Sequence, residues 1–99
     1  MIRGTTPTVG FIFPFDLTTL AEIHIAFAQK RGLVIDKVIV NDGTLAGTTL
    51  SVPLTQDETL RLSPEVVRIQ VRAKQVDGNV IASNILEAPV DAILKDGLI

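Results

Sequence analysis

The sequence predicts an all-β fold, a sandwich of about six or seven short antiparallel strands with one helical turn near residues 56–60. Three observations carry that expectation. Apolar and polar residues alternate over short runs, most clearly in VRIQVRAKQ at 67–75. Turn signals recur about every 8 to 12 residues along the chain. The hydrophobic share of 46% rests on Val, Ile and Leu, with four Phe and neither Trp nor Tyr, a β-branched bias that suits pleated, half-buried surfaces. The 99 residues make one domain with a single core, and no repeat, low-complexity segment or linker divides them.

The elements follow in chain order. VGFIFPF at 9–15 places Val9, Phe11, Phe13 and Phe15 on one side. Pro14 cannot donate to a ladder and marks an edge strand or a strand's end. AEIHIAFA at 21–28 turns Ile23, Ile25 and Phe27 inward and Glu22 and His24 outward; a helix would scatter the same apolar positions around its axis. Gln29-Lys30-Arg31-Gly32 is a turn, and LVIDKVIV at 33–40 is the third strand. Asn41-Asp42-Gly43 stops it with residues that tolerate or supply positive φ, and Thr44-Leu45 leaves room for a very short strand. TLSVPL at 49–54 has Leu50, Val52 and Leu54 on one face. Thr55-Gln56-Asp57-Glu58 is a Thr-x-x-Glu capping box that starts a helical turn to Leu60. In VVRIQVRAKQ at 66–75, Val67, Ile69, Val71 and Ala73 point inward and Arg68, Gln70, Arg72 and Lys74 outward. Asp77-Gly78 then turns the chain, in a loop of two to four residues, into a partner strand at 80–90.

Much chemistry is excluded by composition. With no cysteine there is no disulfide, thiolate metal site or thiol nucleophile. His24 is the only histidine and cannot supply the ligand set that zinc or iron uses. It reads as a solvent-facing strand residue. Among the carboxylates, Asp36, Asp42, Asp57 and Glu58 draw notice. Asp42 lies in a fragment of a calcium-like loop whose other oxygen ligands are missing. Asp57 and Glu58 lie in the first turn of the capped helix, where negative charge is favoured without any ligand. The glycines stand singly at turns with no phosphate-cradling cluster, and no serine sits in a nucleophile elbow. The expectation is therefore a protein that is not an enzyme, with no cofactor and no metal. No run reaches the roughly 18 apolar residues of a membrane span. MIRGTTPTVG lacks a signal peptide's apolar run, so synthesis in the cytoplasm is expected. A net charge of −2 and a pI near 5.2 argue against general polyanion binding.

Five residues stand out as interface candidates. Arg68, Arg72 and Lys74 share one strand face in steps of roughly 7 Å per two residues. They form either a solvated face balanced by Glu22 or Glu87, or an assembly surface that steers an acidic neighbour into register. Nucleic acid is the weaker variant, because three cations without aromatics give only a small counterion-release gain. Leu98 and Ile99 end the chain on two bare aliphatics, which either pack back on their own domain or insert into a neighbour.

Several blocks also carry a resemblance. MIRGTTPT at 1–8, PFD at 14–16, LTQDETL at 54–60, VRIQVRA at 67–73, DGNVIASNI at 77–85 and ILKDGLI at 93–99 resemble, in this order, a family of small proteins. These are encoded among the virion structural genes of phages and prophages of Firmicutes. The pattern is also similar to the immunoglobulin-like N-terminal domain of phage upper baseplate proteins. The resemblance implies an immunoglobulin-like sandwich located in the virion, a non-enzymatic tail, baseplate or neck adaptor or a head decoration. Its partners would be other virion proteins and further copies of itself. A different class of function is a carbohydrate- or host-surface-binding module, with the loops at 29–32, 41–47 and 76–79 forming its binding end. The lack of Trp and Tyr counts against a sugar platform.

Overall fold

Each alternating run becomes a strand in the computed structural model, which describes residues 1–99. Strand β1 is Thr8–Ile12, β2 Leu20–Gln29, β3 Gly32–Val40, β4 Thr49–Pro53, β5 Val67–Gln75, β6 Val80–Ala82 and β7 Leu86–Ala88. The helix α1 is Gln56–Leu60, and a 3-10 turn covers Leu17–Thr19. Together they form an all-β sandwich of two antiparallel sheets. The larger sheet runs β3-β2-β5-β6, with β7 pairing the other half of β5, and the smaller is β1 with β4 alone. The pairing follows an immunoglobulin-like pattern, with β1 and β4 paired as strands B and E are and β3-β2-β5-β6 ordered as C′, C, F and G.

Alternation puts one row of each strand into a shared core. Ile23, Ile25 and Phe27 of β2 lie opposite Ala73, Val71 and Ile69 of β5. From the smaller sheet come Phe11, Leu50 and Val52. Burying each such aliphatic or aromatic side chain is worth about 1.5–3 kcal/mol. Two strands span only half the width of the larger sheet at about 4.8 Å per strand. Leu17, Leu54, Leu62 and Val90, all at or outside strand ends and all buried, close part of the inner face that the two strands leave uncovered.

The α1 segment completes the cover over β3. Both halves of its capping box are formed, Thr55 Oγ1 accepting from the Glu58 amide at 3.1 Å and Glu58 Oε1 from the Thr55 amide at 2.9 Å. The same Oε1 accepts from Lys37 Nζ at 2.9 Å. Lys37 lies between Ile35 and Ile39 on the inner row of β3, an inward charge of the kind that keeps an edge strand from pairing with another chain. Beyond α1 the carbonyls find side chains from other parts of the chain. Arg3 donates to Leu60 and Leu62, Arg31 to Arg61, and Gln29 Nε2 to Ser63 at 2.9 Å and Glu65 at 3.3 Å. Gln29 Oε1 in turn accepts from the Ser63 amide at 2.9 Å. The Gln29 side chain is buried and fully bonded, which no reading of the turn at 29–32 foresaw.

The two ends of the chain lie together. Ile2 and Asp91 form a parallel bridge, and Arg3 pairs with Asp96 at 2.5 Å. Gly4 has φ +71°, and a Cβ there would sit 3.0 Å from Ile93 Cδ1 and 3.2 Å from Leu60 Cδ2. Only glycine fits this crossing without strain.

Four local expectations change. Strand β1 stops at Ile12 rather than continuing to Phe15, because Pro14 follows; Phe13 and Phe15 remain half-buried on the same side. Residues 80–90 are two short strands rather than one. Ser83 interrupts them, its Oγ accepting from the Val71 amide at 3.0 Å while its own amide donates to Val71 O at 2.8 Å. Thr44-Leu45 makes no strand, since Asp42 Oδ1 takes the Thr44 amide and hydroxyl at 3.1 and 2.6 Å. The 3-10 turn at 17–19 follows an Asp16 cap on the Thr18 amide at 2.9 Å, a signal present in DLTT but unread.

Replacing Gln29 with Ala leaves the Ser63 amide and the Glu65 carbonyl without partners, while the Ser63 carbonyl keeps the Glu65 amide. We expect a loss of about 2–4 kcal/mol in unfolding free energy by urea titration, and a loss below about 1 kcal/mol would mean water takes over the amide's role.

Candidate functional site

The mismatch in sheet width leaves one side of the sandwich open. Strand β1 pairs only with β4, and β6 is the last strand of its sheet. Between these free edges runs a groove of about 660 Å³. Phe11, Phe13 and Phe15 form one wall, with the Phe13 and Phe15 rings 5.8 Å apart. Val71 and Ala73 are the floor, Ile81 and Leu86 the facing wall, and Ser83 and Asn84 supply polar atoms. No charged side chain lines it.

Backbone polarity at the groove follows from the ladders. Phe13 donates to Thr48 and Pro7 accepts from Leu54, so odd residues of β1 face β4 and the amides of Gly10 and Ile12 face the free edge. Ser83 donates to Val71 and Asn79 accepts from Gln75, so Val80 and Ala82 of β6 present their amides outward. The groove is thus apolar in its side chains and polar along both rims. That is the pattern an extended peptide segment satisfies when it adds to a sheet edge.

On the outer face of the same sheet, Arg68, Arg72 and Lys74 are exposed, as the alternation predicts. Arg72 lies opposite His24 on β2 and Ala82 on β6, and Lys74 opposite Glu22 and Val80. Arg68 is opposite Glu87. None of the three takes part in any of the four ion pairs of the chain. Glu22 instead meets His24 at 3.1 Å. The cations therefore stand beside their cross-strand acids without closing on them, and Arg72 and Lys74 flank β6.

Leu98 and Ile99 are exposed, at 65% and 106%, and so is Leu94. Backbone and polar contacts hold the tail while its large aliphatics face solvent: Asp96 is on Arg3, and the Ile99 amide donates to Gln56 Oε1 at 3.2 Å. The five predicted residues do not form one cluster. Three lie on the outer sheet face and two at the chain end near α1. Phe15, Ser83 and Leu86 join the groove unforeseen; the phenylalanine spacing in FIFPF is the one trace of it in the sequence.

The three loops proposed as a shared binding end do not meet. The 30–31 turn closes β2 at its C-terminal end, whereas Asn41 bonds Ala21 and Val76 bonds Thr19 at the other. Antiparallel connection of β2, β3 and β5 dictates this separation. Nor are their carboxylates free. Asp42 is held below the ordinary range by the Thr44 hydroxyl and amide, and Asp77 accepts from Asn79. No three His, Asp or Glu side chains are grouped so as to hold a metal ion. No helix is long and apolar enough to cross a membrane. Comparison of the chain with protein-family models, with characterised proteins and with solved structures finds no match.

Glu58 is the titrating group with a structural role. Burial raises its pKa, but the Thr55 amide, the Lys37 ammonium and the Thr55 hydroxyl together bring it below its ordinary 4.5. A carboxylate with a depressed folded-state pKa stabilises above the unfolded value, and that contribution is lost as pH falls through the folded one. Unfolding free energy should therefore drop as pH is lowered below about 4.5, and Glu58→Gln should flatten that part of the pH profile. An unchanged acid slope in Glu58→Gln would show that the Lys37 pair contributes nothing.

Proposed function

We propose that this chain is a non-enzymatic assembly module, a virion structural protein that acts through contacts with other proteins. The observation that carries the reading is the uncharged groove between two free strand edges, flanked by unpaired cations on the outer sheet face. A groove of this form offers apolar contact area and main-chain hydrogen bonds together, the combination by which sheet edges bind partner segments. The cations beside it would steer an acidic partner and set its orientation. The phage setting, whether tail, baseplate or neck adaptor or head decoration, is supported by the ordered sequence blocks that resemble phage virion proteins.

Particles from an induced culture of the encoding lysogen, purified on a density gradient, test this directly. The chain should be found in them by mass spectrometry at a fixed ratio to the major structural proteins. Charge reversal at Arg72 and Lys74 should lower its recovery in particles about tenfold or more, since like-charge contacts cost several kcal/mol. Absence of the chain from particles would overturn the virion assignment.

A further inference from the structure

We propose that the free edge of β6 takes an added strand from a different protein, an extended segment in which apolar residues alternate with two acidic ones. The inference rests on the assembly reading above and names the chemistry of the partner. Position in the sheet sets what this edge can accept. Ser83 donates to Val71 and Asn79 accepts from Gln75, so the amides and carbonyls of Val80 and Ala82 face away from β5. An added strand finds its main-chain partners there. The edge of β3, by contrast, carries the inward Lys37 opposite Ile25, a charge that blocks such pairing.

Alternation then assigns each side chain of the added strand to a face. Ile81 stands opposite Ala73 and shares its inward direction, whereas Val80 and Ala82 stand opposite Lys74 and Arg72 on the outer face. Inward residues of the added strand therefore lie beside Ile81, over the groove whose lining holds no charge. Apolar side chains suit that row. Outward residues extend two cross-strand rows, Glu22, Lys74 and Val80 in one and His24, Arg72 and Ala82 in the other. Each added residue stands two strand spacings, roughly 10 Å, from the cation of its row. A glutamate and a lysine or arginine are both long enough to share that gap above a short valine or alanine. The cations themselves stay on the outer face, outside the groove. Both are uncommitted: Glu22 is turned to His24 at 3.1 Å, and neither Arg72 nor Lys74 joins an ion pair.

Charge complementarity thus fixes the pattern of the occupant. The cations are two residues apart on one strand, so the matching segment carries its acids two apart, with apolar residues before, between and after. Residues 1–99 contain no two acidic residues at that spacing, so no strand of a second copy fits. The occupant is a strand of a different protein.

Three capped heptapeptides, titrated to millimolar concentration into the isotope-labelled chain and followed by NMR, test this. One alternates Val and Glu, one alternates Val and Lys, and one has the Val and Glu composition out of alternation. The Val/Glu peptide should shift and protect the amides of Val80 and Ala82, and the other two should bind about tenfold more weakly or worse. Arg72→Glu/Lys74→Glu should reverse the preference in favour of the Val/Lys peptide. Ala82→Pro removes one outward amide and no bond to β5, a change an edge strand tolerates, and should weaken the Val/Glu peptide about tenfold or more. Circular dichroism and melting temperature check the fold of both variants, and the peptide comparison on wild type stands without them. Equal binding of the Val/Glu and Val/Lys peptides, shifts confined to Gly10 and Ile12 of β1, or no shift at millimolar peptide would each overturn the proposal. A chain that binds no peptide yet is present in purified particles would reject strand addition at β6 and leave the assembly reading standing. A chain that binds the Val/Glu peptide but is absent from particles would do the reverse.

Discussion

Two strands cannot cover a sheet four strands wide, and most of what distinguishes this molecule follows from that constraint. On one side of β1 and β4 the shortfall is made good by α1, the loop after it and the chain ends. On the other it is left open, and the phenylalanines of FIFPF face Val71, Ala73, Ile81 and Leu86 across a groove. A full second sheet would have paired β1 on both sides. The open edge is thus a consequence of sheet size, present before any partner is considered.

The closed side shows what covering a sheet without strands requires. A single helical turn has little stability of its own, since isolated short helices are marginal in water. Here it is held from three directions by Lys37 on Glu58, by Arg3 and Arg31 on its trailing carbonyls, and by Gln29 on the loop beyond. Long side chains reach backbone groups that a β-ladder would have satisfied. The Lys37–Glu58 pair does two jobs, tying α1 to β3 and placing a charge on the inner row of an edge strand. Nothing equivalent guards the β1 and β6 edges.

Local pattern was enough to read most of the strands, and the reasons are specific. Period-two alternation in β2 and β5 named the inward residues one by one, and the capping box placed α1 because its donors and acceptors lie within four residues. What stayed hidden depends on distant partners. Gln29 looked like a turn residue, yet it is buried on a loop more than thirty positions away. Ser83 looked like part of a continuous strand, yet its hydroxyl competes for the Val71 amide. The groove is invisible to periodicity because it is defined by a strand that is missing. Of the predicted interface residues, the outward direction of Arg68, Arg72 and Lys74 was legible from alternation, and Leu98 and Ile99 are exposed. That Arg72 stands opposite Ala82 of β6 needed the register of β5 on β6.

Amide hydrogen exchange, resolved residue by residue by NMR in dilute protein, tests the open edge most directly. Exchange reports the opening free energy of each amide, lowest where backbone groups face solvent. The account predicts rapid exchange at Gly10, Ile12, Val80 and Ala82, against strong protection at Ile25 of β2 and Val71 of β5. Protection at those four rim amides equal to that of β2 would contradict it, because the groove would then be closed within the monomer.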